Sequence, residues 1–177
     1  MMRETHTIAG GASWIALSAP ALRLSPPSGS LLVVLAAGIP LAAFSARAPD
    51  LDKWLGERFH RKATHSFIGL GLFGGTLLLL AGSIHASAWF VVAAMVGYAS
   101  HIATDCLTQH GCPLFWPDPR CYHWLPEHRR ISTGGKRTKR RDWLGRETEH
   151  RGLPVGEFVV TWAHVAIAVL SLMAFAR

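Results

Sequence analysis

The residue types and spacing best suited to chemistry lie in Gly97-Tyr98-Ala99-Ser100-His101-Ile102-Ala103-Thr104-Asp105, where an imidazole and a carboxylate stand four positions apart at the end of an apolar run. That spacing puts His101 and Asp105 on one face of a helix. A polar His and a charged Asp at a membrane boundary are costly unless paired, hydrated or bound to a cation, and the carboxyl end of a helix favours positive charge. The same donor types recur in Pro49-Asp50-Leu51-Asp52 and in His60-Arg61-Lys62-Ala63-Thr64-His65-Ser66, where Thr64 or Ser66 suits a helix cap. His6 stands near the amino end. Imidazole and carboxylate without thiolate suit zinc, with manganese or iron as the other fits. His6, Asp52, His65, His101 and Asp105 are therefore the candidate metal ligands, and Asp50 and His60 the candidate catalytic base or ligand-orienting partners. These donors outnumber the ligands of one closed tetrahedral site, which calls for one ion with orienting neighbours or two ions sharing carboxylates. The plainer alternative is a His–Asp hydrogen bond closing a helix, a solvated turn after Pro49 and a polar helix entry.

Five apolar stretches must position these groups: about 8–24, 31–46, 67–84, 86–104 and 155–176. A hydrocarbon core of about 30 Å takes about 20 residues of helix, so the last three fit well and the first two, which contain Pro20 and Pro40, are marginal. The expected fold is all-α: a single polytopic membrane domain over residues 1–177 with four to five transmembrane helices. A cleaved signal peptide is the alternative for the first run, because Ala19-Pro20-Ala21 follows an apolar stretch; against it, Arg3 and Glu4 cancel where a signal wants positive charge.

Half of the 177 residues are hydrophobic, yet the formal net charge is +7. A membrane separates those two characters. With the amino terminus inside, the loops 47–62 and 105–154 share one side, and that side holds all 18 Lys and Arg except Arg23 and Arg177. Such an excess marks the cytoplasm. Every candidate ligand falls on the same face, an agreement that the charge count did not require. The long loop changes character at Pro113, Pro117, Pro119 and Pro126 and is expected to hold short helices at most. Arg129, Arg130, Lys136, Arg137, Arg140 and Arg141 within it would draw in an anionic small molecule or contact lipid. Cys106, Cys112 and Cys121 form no Cys-x-x-Cys pair and read as reduced thiols. Of the other histidines, His85 falls outside, His164 suits an interhelical hydrogen bond, and His123, His128 and His150 read as solvated; His110 lies close enough to Asp105 to be an extra ligand.

The blocks Pro49–Asp52, His60–Ser66 and Gly97–Pro117, with Thr108, Gly111, Trp116 and Pro117, resemble the LexA-binding, inner-membrane-associated metal-dependent hydrolases, the YdjM-like family. The likeness runs from Thr5-His6 to Ile131-Ser132-Thr133-Gly134 and implies a hydrolase of the bacterial inner membrane, with His60, His65, His101 and Asp105 in the site. More distantly, the order of His6, Asp52, His65, His101 and Asp105 is similar to that of the helical zinc-dependent phospholipases C and related nucleases, although a late His-x-x-x-Glu helix is missing here.

The expected function is hydrolysis by metal-activated water, with one or two divalent ions acting on a phosphoester- or lipid-type anionic substrate. The runners-up are a non-catalytic metal-binding membrane protein and a membrane-tethered nucleic-acid binder using the basic loop. An ion carrier is disfavoured, because only His164 and scattered Ser and Thr continue through the spans.

Overall fold

A computed structural model describes residues 3–24, 29–56, 60–131, 139–141, 147–149 and 155–175. The five apolar stretches fold as α-helices: α1 (Arg3–Leu24), α2 (Gly29–Ser45), α3 (Phe67–Ser83), α4 (Ala88–Cys106) and α5 (Val155–Phe175). Pro20 and Pro40 lie inside α1 and α2. By length and composition one described stretch, Leu32–Trp54, suffices to cross a membrane; Phe67–Ser83 and Val160–Ser171 are shorter apolar helices.

Small residues let α1, α2 and α4 approach closely around Ala42. A Cβ built on Gly10 would stand 2.6 Å from the Ala42 carbonyl oxygen, and one on Gly97 only 2.0 Å from it. Any side chain there would push the helices apart, so glycine is what permits the contact. One turn deeper the same pattern repeats with larger groups: Trp14 fills the space beside Gly38, buries its ring with Ala42 and Ala93, and donates from Nε1 to the Leu35 carbonyl at 3.0 Å. One turn in the other direction from Gly10, Ala42 and Gly97 stand His6, Ala46 and His101. The close contact therefore sets the height and rotation of the site.

Helix α4 carries two i, i+4 stripes. Gly97, His101 and Asp105 form one. Tyr98, Ile102 and Cys106 form the other, and they pack with Cys112 and Leu114 beneath the loop that follows. That loop also satisfies the carbonyls a helix end leaves bare: Trp124 N–H donates to the Cys106 oxygen at 2.9 Å, and Ile131 N–H to the Leu107 oxygen at 3.0 Å. Gly111 turns with φ of 66°, a left-handed conformation that favours glycine. Helix α3 begins at Ser66, whose side chain accepts from Gly69 N–H.

Several expectations change here. Thr64 does not cap α3; its hydroxyl donates to Asp52 instead. His164 makes no described interhelical bond but lies 2.8 Å from the carbonyl oxygen of Val160, one turn back in its own helix, a nearby acceptor that spares the ring a partner across the bundle. The long loop contains more than short helices. Strands β1 (Lys139–Arg141) and β2 (Glu147–Glu149) pair antiparallel, with Lys139 opposite Glu149 and Arg141 opposite Glu147. Opposite charges across a ladder favour that register, a signal masked in the sequence by reading the basic run as a loop. Lys136, Arg137 and His150 lie outside the described residues, and Arg140 and Arg141 are described in backbone only.

Candidate metal centre

Four elements converge at one end of the bundle: the start of α1 with His6, a 3-10 turn (Ala48–Leu55) with Asp50 and Asp52, the segment entering α3 with His60 and His65, and the end of α4 with His101 and Asp105. His6, His65, His101 and Asp105 are fully buried, while Asp50 and His60 are 13% and 21% exposed and form the mouth.

Hydrogen bonds assign the ring nitrogens. His101 Nδ1 lies 2.7 Å from the Ala46 carbonyl oxygen, which only accepts, so Nδ1 donates and Nε2 turns its lone pair into the site. Thr104 gives its hydroxyl proton to the His101 carbonyl, so its oxygen accepts from His6 Nδ1 at 2.9 Å and leaves His6 Nε2 bare as well. The His6 and His101 rings stack, with centroids 3.8 Å apart. His65 Nε2 faces His101 Nε2 at 3.1 Å.

Around these two nitrogens stand carboxylate oxygens. Asp105 Oδ2 is 3.6 Å from each, and Asp50 Oδ1 lies 3.7 Å from His65 Nε2 and 3.9 Å from His101 Nε2. Ligands about 2.0–2.1 Å from a tetrahedral zinc lie about 3.3–3.4 Å from one another, so these spacings fit one ion after a small contraction. On the other side, Asp105 Oδ1 is buried without a hydrogen bond and faces the bare His6 Nε2 at 3.5 Å. Two acceptors meeting without a donor are what a cation would satisfy. His6, His101 and Asp105 form one such group, Asp50, His65 and His101 a second, and Asp52, His60 and His65 a third.

Asp52 has a different environment from Asp50. It accepts from His60 Nδ1 at 2.7 Å, from the Arg61 backbone N–H at 3.2 Å and from the Thr64 hydroxyl. Asp50 instead presents Oδ1 to the histidines and to Lys53 Nζ at 2.8 Å, the latter on a side chain 41% exposed. The geometry thus turns Asp50 toward the histidines and binds Asp52 to three donors, the reverse of the roles expected from the sequence, although Asp52 still stands in the third donor group.

The electrostatics agree. Burial works against the charge on Asp50, but the nearby His65 and the Lys53 ammonium outweigh it and hold the carboxyl far below the usual range. Burial likewise opposes the charge on Asp52 and Asp105; His65, Thr64 and His60 beside the first keep it ionised, and His101 with Arg61 beside the second do the same. Burial, reinforced by His101, lowers His6 to about 3. Burial also pulls His65 down, yet Asp50 and Asp52 prevail and raise it. Three carboxylates beside the neutral rings of His6 and His60 make a cation-seeking pocket.

His110 is exposed and belongs to none of the three donor groups. Cys106, Cys112 and Cys121 are free. Arg130 is taken up by the Leu125 carbonyl, to which its Nε donates at 3.2 Å. Besides Lys53 at Asp50, a second cation reaches the centre: Arg61, whose Nη2 lies 3.5 Å from Asp105 Oδ2. In the sequence it is one more basic residue of a loop; its place between His60 and His65 was the available signal.

Residues 1–176 match the model of the family described as YdjM inner membrane protein. The chain is 31% identical to the inner membrane protein YdjM of Escherichia coli (strain K12), over 51% of this chain and 57% of that relative, and the protein of the same name from Shigella flexneri aligns identically. The match therefore spans little more than half the length of these relatives. No solved structure matches. With the family's pattern running through every element that builds the centre, the chain belongs to the YdjM inner membrane protein family.

Proposed function

We propose that this chain is a metal-dependent hydrolase of the bacterial inner membrane, acting on an anionic phosphoester- or lipid-type substrate. The observation that carries the reading is the set of metal-donor atoms aimed at one point: His65 Nε2, His101 Nε2, Asp50 Oδ1 and Asp105 Oδ2, beside a buried Asp105 Oδ1 that has no donor. These residues would hold zinc, or manganese or iron, with His6 and Asp105 able to take a second ion. Such an ion supplies acidified water and neutralises charge on the substrate.

The chain's own residues do the rest. Asp52 fixes His60 through Nδ1 and leaves Nε2 at the half-buried mouth. Burial lowers the His60 pKa against the pull of Asp52, so near neutral pH the ring is an unprotonated base within reach of a water entering there. His6, His65, His101 and Asp105 close the floor against solvent.

Four or five spans suit the exposed apolar residues of the helices, and the excess of Lys and Arg in the loops supports an amino end and a centre on the cytoplasmic side. Val33, Leu72, Leu79 and Leu170 are each more than 60% exposed, a surface suited to lipid. Exposed Trp54, Trp116 and Trp124 flank the site in chain order, as an interfacial aromatic belt would.

The test is metal content of detergent-purified protein by plasma mass spectrometry, followed by a screen of phosphoester and lipid substrates with and without chelator. Near-stoichiometric metal, lost in His101→Ala and Asp105→Ala, and chelator-sensitive turnover are expected. Stoichiometric metal without any turnover would leave a metal-binding protein without catalysis. Nucleic-acid binding that survives chelation and falls steeply with salt would favour the basic-loop reading.

A further inference from the structure

Arg61 is built into the centre in a way that the metal ligands do not explain. Its backbone is left-handed, with φ of 57°, an uncommon and costly conformation for a residue with a side chain. The strain is held by the backbone N–H bond to Asp52 Oδ2 and by the approach of Nη2 to Asp105 Oδ2. Those contacts aim the guanidinium at the floor of the pocket rather than outward with the neighbouring exposed Lys62. Its second terminal nitrogen, Nη1, is buried and has no hydrogen-bond partner among the described residues. A guanidinium that served only to balance Asp105 would gain by pairing both nitrogens with the carboxylate in the usual fork. Leaving a buried charged donor unmade costs free energy, and the side chain as a whole stays 21% exposed, as much as that of His60 next to it in the chain.

We infer that Arg61 is the anion receptor of this centre, its free Nη1 taking an oxygen of a phosphoryl group on the substrate while Nη2 remains on Asp105. The inference rests on the metal-centre reading above and adds to it the residue that recognises the substrate and the chemical class recognised. A phosphoryl group suits the place because its several non-bridging oxygens can meet a divalent cation and a guanidinium at once. Were two divalent ions bound, three carboxylates and Arg61 would leave the pocket net positive, a match for a dianion.

The experiment uses the full chain in detergent, loaded with zinc or manganese, and measures inorganic phosphate binding by calorimetry together with retained metal. A parallel arm replaces phosphate with vesicles of phosphatidic acid against phosphatidylcholine. Wild type is expected to bind at least one of the two phosphoryl probes. Arg61→Ala should keep its metal and weaken that binding about ten- to a hundredfold, the worth of one hydrogen bond to a charged group. Arg61→Lys, which preserves charge but not the fork, should keep metal and still bind several-fold more weakly. Loss confined to the vesicle arm assigns a lipid headgroup, and loss in the phosphate arm a soluble phosphoester. Unchanged phosphoryl binding in either variant, or metal-loaded wild type that binds neither probe, overturns the role of Arg61 and leaves the metal centre standing. Loss of metal in both variants makes Arg61 a support for Asp105 and overturns it too. Wild type that holds no metal overturns the metal centre first and this inference with it.

Discussion

The Nε2 atoms of the fully buried His65 and His101 rings face each other at 3.1 Å, although the other nitrogen of His101 is already committed to the Ala46 carbonyl. Two imidazole lone pairs cannot meet at that distance without something positive between them. A proton on His65 serves in the metal-free protein, held there by Asp50 and Asp52. A divalent ion serves in its place when bound. Replacing either ring by alanine should abolish stoichiometric metal, whereas His110→Ala, outside the donor groups, should leave it intact; plasma mass spectrometry of the three variants decides.

Proton and metal compete for the same nitrogens, which fixes a pH dependence. His65 is raised above its ordinary 6.5, so zinc must displace a proton there across neutral pH, and apparent affinity should climb up to about tenfold per unit for that proton. Stability of the metal-free protein should show two opposed terms. His65 contributes below pH 6.5 and loses its contribution as pH rises through its folded value. His6, lowered to about 3, contributes fully above 6.5 and loses it as pH falls toward 3. Asp50, Asp52 and Asp105, all lowered, add to the acid-side loss. Zinc titrations and melting curves in chelator from pH 5 to 8 would read both; flat zinc affinity would refute the competition.

Orienting residues should act by degree. Thr104 fixes His6 by accepting from Nδ1, and Asp52 fixes His60. Thr104→Val and Asp52→Asn should each lower metal affinity or turnover about 10–100-fold with the fold intact. Competition against a chelating dye gives the affinity; wild-type values for both would remove the orienting role.

The close contact at Ala42 predicts a contrast between two glycines. Gly97→Ala sets a methyl 2.0 Å from a backbone oxygen that cannot rotate away, and should cost about 1–3 kcal/mol and shift His101. Gly71→Ala meets nothing within 4 Å in mid-helix and should be neutral or gain about 0.5–1 kcal/mol. Thermal melts in detergent with zinc binding measured alongside would separate them, and equal melting temperatures would contradict the packing.

Much of this arrangement is legible in the chain because its signals are local. Apolar length marks the five helices, and the spacing of four puts His101 and Asp105 on one stripe. Proline and histidine blocks sit where those stretches end. The loop's return over the end of α4 was not legible, because it depends on partners farther along the chain, such as Thr108 with Ile131, and the hairpin was not because its three-residue strands carry charges and no apolar alternation.

Residue type and periodicity alone determine that this protein is a helical, basic chain whose imidazoles and carboxylates gather at helix ends, since burial of apolar runs leaves them nowhere else to go. Tertiary structure decided which donors face inward. Asp50 and Asp52 are two positions apart and chemically identical; the Thr64, His60 and Arg61 contacts saturate Asp52, while Asp50 meets Lys53 and the histidines. The same holds for Arg61, indistinguishable from its basic neighbours until a left-handed backbone turns it into the pocket. Direction in space comes from non-local packing, here the Gly10–Ala42–Gly97 contact and the strained loop, and no spacing along the chain encodes it.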